Sequence, residues 1–330
     1  MPQGEYLQYG GQAIVEGVMM RSPRYYSVAV RAPDGRIVAR TEPVETTWVG
    51  RQRWLRWPFV RGTLALLDAM TLGAKAMRFA ANVQLAEEYQ PAGAVQPSGK
   101  QTPESVRNLQ VGGALVAGLA IGILLFVFLP NLLAEQLRRF RLTPTQTNLS
   151  TEILKILFFL AYVSLIGRMK EIRRIFQYHG AEHKAINALE HGQELTVEVC
   201  NRNSRFHPRC GTSFAIVVLL VSLLLFTFVP RYPLGDHHPM LVNVTIRFVL
   251  ELLILPLVAG ISYEAIRIAG KFRFNALVDA LFRPGLWTQR LTTAEPDESM
   301  VEVAVVALRN VIDAEEGRLP EEQAAAPASA

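Results

Sequence analysis

The chain has 330 residues, of which 50% are hydrophobic and 19% charged, and its formal net charge is +5 at pH 7. This length predicts two or three structural units, because a single hydrophobic core rarely grows so large. The basic excess is too small and too scattered for a nucleic-acid-binding protein, although it suits loops that lie on anionic lipid.

The first 88 residues are predicted to form a small β-containing module followed by one helix. Strand-like segments, Tyr26–Ala32 and Arg36–Thr41, flank Pro33-Asp34-Gly35, which is typical of a β-hairpin. A helical pattern then runs from about residue 59 to residue 88, after a Trp/Arg cluster at positions 48–57. Two interpretations stay open: an amphipathic helix that lies on the membrane surface, or a core helix packed on the hairpin.

Four long apolar segments are predicted to cross a membrane as helices. In the last of them, Arg247 and Glu251 lie four residues apart and therefore on one helix face, where we expect an ion pair. The alternative is that Glu251 marks a proton or ion path. The four segments are Gly112–Leu133, Ile153–Gly167, Thr212–Val229 and Val244–Tyr263.

The distribution of Lys and Arg predicts the orientation of these spans. Basic residues are dense before the first span, between the second and third, and after the fourth, and almost absent around Asp236-His237-His238. By the positive-inside rule, both termini and the segment between spans two and three are cytoplasmic. Arg138, Arg139 and Arg141 after the first span break this pattern. The first twenty residues lack the features of a cleavable signal peptide.

Composition and hydrophobic periodicity divide the rest of the chain. A stretch rich in Pro, Gly, Ser and Gln predicts a flexible linker, and the Ala-, Glu- and Pro-rich end predicts a disordered tail. Apolar residues from Val301 to Ile312 recur at helical spacing. The predicted units are the cytoplasmic module with its helix (1–88), the linker (89–110), spans one and two (111–167), a cytoplasmic His/Cys loop (168–211), spans three and four (212–263), a cytoplasmic segment with an amphipathic helix (264–314) and the tail (315–330).

The pentad His179-Gly180-Ala181-Glu182-His183 is the most specific chemical signal in the sequence. It has the H-x-x-E-H spacing of inverted zinc-hydrolase helices. Residues i, i+3 and i+4 share a helix face, so two imidazoles could bind a metal beside a carboxylate that accepts a proton. A plainer interpretation competes, in which the histidines are interfacial polar residues and the cysteines are small buried hydrophobes.

The remaining metal ligands are expected from the segment that follows the pentad. Glu190 and His191 lie too far along a straight helix, whereas His207, Cys210 or Cys200 are better placed. Cytoplasmic thiols are reduced, which favours metal ligation or burial over a disulfide, and a Cys ligand favours zinc over magnesium or calcium. We therefore predict a zinc site with the ligands His179, His183, His207 and Cys210, and Glu182 as the catalytic base. Four protein ligands would make a structural site, whereas three and a water would make a hydrolytic one.

The chain resembles the YqhQ-like family of bacterial membrane proteins, a family of unknown function that has been described as predicted metal-dependent. This resemblance implies a location in the bacterial inner membrane. It also directs attention to Glu16, which we expect either to pair with Arg21 and face the His/Cys cluster or to be solvated on a surface strand. Ala294 replaces a basic residue expected in relatives. The matching stretches are GGQAIVEGVMMRSP (Gly10–Pro23), YHGAEHKAIN (Tyr178–Asn187), SRFHPRCGTSF (Ser204–Phe214), GISYEAIRIAGKF (Gly260–Phe272) and QRLTTAEPDESMVEVAVVAL (Gln289–Leu308).

The sequence thus predicts an α-helical polytopic membrane protein with a small β-containing N-terminal cytoplasmic module. The first function hypothesis is a zinc-dependent hydrolase that acts at the cytoplasmic membrane surface on a peptide or a lipid-derived substrate. The second is a non-enzymatic membrane scaffold or assembly factor with a structural metal site. A transporter is the weakest hypothesis, because four spans with a single buried carboxylate make a poor pathway unless the chain oligomerises. The predicted partners are the lipid bilayer, other membrane proteins or a second copy of the chain, and no nucleic acid.

Overall fold

The computed structural model describes residues 9–44, 59–91, 104–208, 210–271 and 276–318. Three sequence-based predictions fall wholly or mostly outside these ranges: the Trp/Arg cluster, the flexible linker and the disordered tail.

The N-terminal module is a four-stranded antiparallel sheet of β1 (Gly10–Ile14), β2 (Gly17–Arg21), β3 (Tyr25–Arg31) and β4 (Ile37–Pro43), paired in chain order. The predicted hairpin is present between β3 and β4, and Gly35 in its turn has a φ of 90°. A two-residue turn joins β1 to β2, and its second residue, Glu16, adopts a φ of 53°, which is uncommon for a residue other than glycine.

Helices make up most of the remaining described chain. A π-helical turn, Leu124–Phe128, joins α2 to α3, and 3₁₀ turns lie at Glu87–Tyr89 and Leu137–Phe140. The α-helices in chain order are α1 (Val60–Leu85), α2 (Glu104–Ile123), α3 (Leu129–Gln136), α4 (Pro144–Ile166), α5 (Lys170–Glu190), α6 (Val197–Asn201), α7 (Gly211–Phe228), α8 (Met240–Lys271), α9 (Ala276–Thr292) and α10 (Glu298–Glu315).

The sheet lies between helices on both faces. Side chains alternate across a strand, so Met19 of β2 packs with α1, whereas its neighbours Val18 and Met20 pack with α5 and α10. The amphipathic C-terminal helix is present as α10, and its apolar face is buried in this core. The helix that carries the pentad, α5, therefore packs against both the sheet and α10.

Helix α1 connects the sheet to the helical bundle. Its C-terminal half packs on the sheet, as the interpretation of a core helix packed on the hairpin predicted. The buried residues are Leu72, Ala76, Ala80 and Val83. Near its start, a Cβ on Gly62 would lie 2.6 Å from Cβ of Tyr263 on α8. Other apolar residues of α1 are exposed, so a role at the membrane surface stays a prediction; these residues are Leu66, Leu67 and Met70.

Four helical segments are long and apolar enough to cross a membrane, as predicted: Gly112–Gln136, Pro144–Ile166, Gly211–Phe228 and Met240–Arg267. The second begins at Pro144 rather than near Ile153, because Thr143 and Gln146 form a capping box at its start. Its first two turns contain polar residues that pack inside the bundle, which is why hydropathy alone placed its start too late.

The bundle also buries more charge than the sequence indicated. Arg247 and Glu251 form the predicted ion pair, with 3.1 Å between Nε and Oε1. However, Glu135 and Glu152 are buried as well as Glu251, so the bundle contains more than the one buried carboxylate that the sequence indicated. They were missed because Glu152 lies outside the predicted spans, and Glu135 just beyond the end of one.

Candidate metal centre

Helix α5 brings the two histidines of the pentad together on one face. The ring centroids of His179 and His183 are 4.4 Å apart, as i, i+4 spacing requires. Between them, Gly180 allows the segment after α9 to approach closely, since a Cβ there would clash with the carbonyl oxygen of Ala294. The glycine therefore makes room for the backbone that contacts His179.

The third member of the cluster is Cys210, the N-cap residue of α7. Its Sγ lies 3.1 Å from Nε2 of His179. One ligand atom from each of His179, His183 and Cys210 lies within 4.8 Å of the others. Zinc bonds of about 2.0–2.3 Å place tetrahedral neighbours roughly 3–4 Å apart, so small side-chain movements would close these three atoms around one ion. The cluster lies where α5, the start of α7 and the end of α9 meet.

Backbone carbonyls orient both imidazoles. Nδ1 of His179 lies 2.9 Å from the carbonyl oxygen of Thr292, and Nδ1 of His183 lies 2.6 Å from that of Arg205. A carbonyl only accepts hydrogen bonds, so each Nδ1 carries the proton and each Nε2 keeps a lone pair for a metal. Burial lowers the pKa of His183, which favours the neutral ring that a metal needs.

Glu182 is buried next to the cluster but outside the three-residue group. Burial raises the pKa of its carboxyl, and the electrostatic influence of His179 and His207 opposes this shift. The backbone N–H of Gly11 on β1 donates to the carboxylate. Its Oε2 is buried and has no hydrogen-bond partner among the described residues. The side chain is thus a protonatable group with one acceptor unused.

Gly11 explains why β1 can approach Glu182 so closely. A Cβ on Gly11 would lie 2.9 Å from Cδ of Glu182 and 2.8 Å from the carbonyl oxygen of Met19. The resemblance drew attention to Glu16, but the sequence did not identify Gly11 as the residue that contacts the pentad.

His207 does not join the group of three ligands. Its Nε2 lies 3.1 Å from Oε1 of Glu190, and its backbone exchanges hydrogen bonds with the side chain of Gln289. Its ring centroid is 5.7 Å from that of His183. His207 is therefore a neighbour of the cluster, and Gln289, which the sequence analysis did not select, fixes its main chain.

Cys200 lies in the hydrophobic core against α10 and is not part of the cluster. Burial raises the pKa of its thiol to about 11. Of the two cysteines, only Cys210 reaches the histidines.

The expected pairing of Glu16 with Arg21 is wrong. Glu16 forms an ion pair with Arg174 of α5 and accepts a hydrogen bond from the hydroxyl of Tyr178. Arg21 pairs instead with Asp68 of α1, with 2.7 Å between the charged atoms. The physical reason is the length of β2, because five extended residues separate Glu16 and Arg21 by about 16 Å. Glu16 therefore fastens the first turn of the sheet to the helix that carries the pentad.

Comparisons with known proteins identify a family but no activity. A family described as protein of unknown function, DUF1385, matches residues 57–314. The chain is 33% identical over 317 residues to the uncharacterized protein YqhQ of Bacillus subtilis (strain 168), with 92% of each chain covered. No solved structure matches the chain.

Proposed function

Because the chain belongs to the DUF1385 family of proteins of unknown function, we propose a function from the site alone: a zinc-binding, multi-pass protein of the bacterial inner membrane. The observation that carries this proposal is the convergence of His179, His183 and Cys210, with both Nδ1 atoms occupied by backbone carbonyls. Two imidazoles and one thiolate suit zinc better than magnesium or calcium.

The first candidate activity is hydrolysis at the cytoplasmic membrane surface. The group of three possible ligands supports this activity, because catalytic zinc sites typically have three protein ligands. Bound zinc would act as a Lewis acid. Glu182 would serve as the general acid or base, since its buried carboxyl has a raised pKa and an unused oxygen. A peptide or a lipid-derived molecule is the proposed substrate, because the cluster adjoins the start of an apolar helix.

The second candidate is a structural metal in a membrane scaffold or assembly factor. Two of the three ligands, His183 and Cys210, are buried, and the cluster joins α5 to α7. A metal there would fasten the sheet-containing unit to the bundle. The two candidates differ on Glu182, which only hydrolysis requires.

Metal content of the detergent-purified protein, measured by mass spectrometry, tests the zinc centre. We expect close to one zinc per chain, lost in His183→Ala and in Cys210→Ser. Cys200→Ser is the matched control, because Cys200 is also a buried free thiol but lies outside the cluster. Folded parent protein that binds no zinc after reconstitution would refute the proposal.

Glu182→Gln separates the two candidates. For a hydrolase, the variant should keep its zinc and lose cleavage of model peptides and esters by the zinc-loaded protein. For a structural site, zinc removal should lower the unfolding temperature of parent and variant alike, with no cleavage by either.

The proposed orientation places the segment between spans two and three in the cytoplasm and the loop around Asp236 on the opposite side of the membrane, and it has its own test. A membrane-impermeant thiol reagent applied to intact cells should label a cysteine introduced at Asp236, and should label one introduced at Glu198 only after lysis. The reverse pattern would invert the topology.

A further inference from the structure

A second cluster of buried polar groups lies at the end of the bundle opposite the metal centre. It contains Lys155, Arg231, Arg247, Glu135, Glu152 and Glu251, each at most 6% exposed. We call this set the distal ionic cluster. Such residues inside apolar helices are costly to bury and commonly have a function.

Two of the three cations have complete sets of partners. Arg231 donates to Glu135 at 3.1 Å and to Thr151 at 2.9 Å. Arg247 donates to Glu251 and to three carbonyls at the end of α7: those of Phe226 at 3.0 Å, Val229 at 3.3 Å and Pro230 at 3.1 Å. The C-terminal end of a helix carries a partial negative charge, so these carbonyls already offset much of the charge of Arg247.

Lys155 bridges the two remaining carboxylates. Its Nζ lies 2.7 Å from Oε1 of Glu152 and 2.7 Å from Oε2 of Glu251. Arg231 is paired with Glu135, and Arg247 is held by the end of α7, so the ammonium group of Lys155 is shared between Glu152 and Glu251. Glu251 also accepts a hydrogen bond from Arg247. The negative charge of Glu152 is therefore the least compensated of the three carboxylates.

Two acceptor oxygens, one in the distal ionic cluster and one beside it, have no donor. Oε2 of Glu152 and Oδ1 of Asn148 are both buried without a hydrogen-bond partner in the described parts of the chain. The amide of Asn148 cannot be reversed to remove this defect, because its Nδ2 donates to the carbonyls of Thr227 and Val229. Asn148 and Glu152 are four residues apart on α4 and so lie on the same face.

We propose that Glu152 is a proton-binding site, with the proton on Oε2 shared with Oδ1 of Asn148. A single proton would give both oxygens the hydrogen bond they lack. It would also leave Lys155 paired with Glu251, Arg231 with Glu135, and Arg247 with Glu251 and the end of α7. This site is independent of zinc, and it gives the bundle a binding function at the end away from the metal centre.

Glutamine is the test, because it imitates a protonated glutamate. In Glu152→Gln, the amide can donate to Asn148 and still accept from Lys155, so the unfolding temperature in detergent should match that of the parent. Glu135→Gln and Glu251→Gln should unfold several degrees lower, since each leaves a cation short of its partner. Glu171→Gln, on the exposed start of α5, is the control for a glutamate outside the cluster.

Infrared difference spectroscopy then observes the proton directly. The C=O stretching band of protonated carboxyl groups should be present in the parent at pH 7. One component of that band should be absent from Glu152→Gln. Glu182→Gln identifies any component that belongs to the metal centre. The proposal fails if Glu152→Gln removes no protonated-carboxyl component, or if it unfolds as early as Glu251→Gln. Either result would overturn the assignment of a proton to Glu152.

Discussion

The metal centre and the distal ionic cluster are two buried polar regions at opposite ends of the same bundle, and they use their polar atoms differently. At the candidate metal centre, backbone carbonyls engage Nδ1 of His179 and His183, and Nε2 of His179 contacts the thiol of Cys210, a second possible metal ligand. In the distal ionic cluster, the hydrogen-bonding atoms have partners within the described chain, except for Oε2 of Glu152, which lies near the equally unpartnered Oδ1 of Asn148. The possible metal ligands therefore converge on one another, whereas most polar atoms of the distal ionic cluster are engaged by partners from other segments. This difference predicts what substitutions in each region will do.

Arg231→Met should have the largest effect, and on stability alone. It leaves the buried carboxylate of Glu135 without its cation, which typically costs about 3–5 kcal/mol. We expect this loss in the free energy of unfolding in detergent, with zinc content unchanged in the fraction that remains folded. Arg24→Met is the control: its ion pair with Glu315 is exposed and contributes about 1 kcal/mol or less. Loss of zinc in folded Arg231→Met would show that the two ends of the bundle are not independent.

Cys210→Ser should show the opposite pattern, with a large loss of zinc affinity and a small effect on the metal-free protein. Removing a hydrogen-bond partner of a ligand already costs about 10–100-fold in affinity, so we expect loss of a ligand to cost at least 100-fold. Competition with a zinc-sensitive dye measures the change. An affinity within a few fold of the parent would remove Cys210 from the ligand set.

Gly11→Ala tests whether β1 supports the metal centre. The added Cβ would crowd both Glu182 and the backbone of Met19, and such overpacking typically costs about 1–3 kcal/mol. Gly10→Ala is a matched neighbour, because a Cβ there has nothing within 4 Å. Chemical denaturation of the two variants should show a loss of stability in Gly11→Ala and none in Gly10→Ala. Equal stability would mean that the sheet does not constrain Glu182.

The last effect appears only at high pH and concerns the titration of Cys200. Its pKa of about 11 lies above the ordinary 9.0 of a thiol, so the folded state keeps its proton where the unfolded state releases it. Stability relative to Cys200→Ser should therefore be constant below about pH 9 and fall as the pH rises from 9 to 11. At pH 8, iodoacetamide should leave Cys200 of the native protein unmodified, and should modify Cys210 once zinc is chelated. Rapid alkylation of Cys200 would contradict its burial.

Much of the fold could be predicted because it depends on local pattern. The four apolar helices, the hairpin at Gly35 and the shared face of His179 and His183 follow from hydropathy, turn residues and helical spacing. The rest depends on contacts between distant segments. Thr292 and Arg205 act through main-chain carbonyls that any residue would supply, and Gly11 acts through its lack of a side chain.

The ligand set was harder to predict for the same reason. Glu190 lies beside His207, and this histidine is outside the group of three possible ligands. The sequence contains both residues and cannot show that they meet. Likewise, Glu152 did not stand out until the structure placed it among three cations.

Helix α1 makes the sheet and the bundle mechanically dependent on each other. One end is held on α8 by Gly62 and by the ion pair of Arg61 with Glu264, and the other lies on the sheet through Ala80. These contacts are separated by about 27 Å of helix, so a one-degree tilt at α8 would move the sheet end by roughly half an ångström. The sheet also holds Gly11 against Glu182. A small movement of α8 would therefore displace the sheet and, with it, the backbone that contacts the carboxyl of Glu182 beside the candidate metal centre.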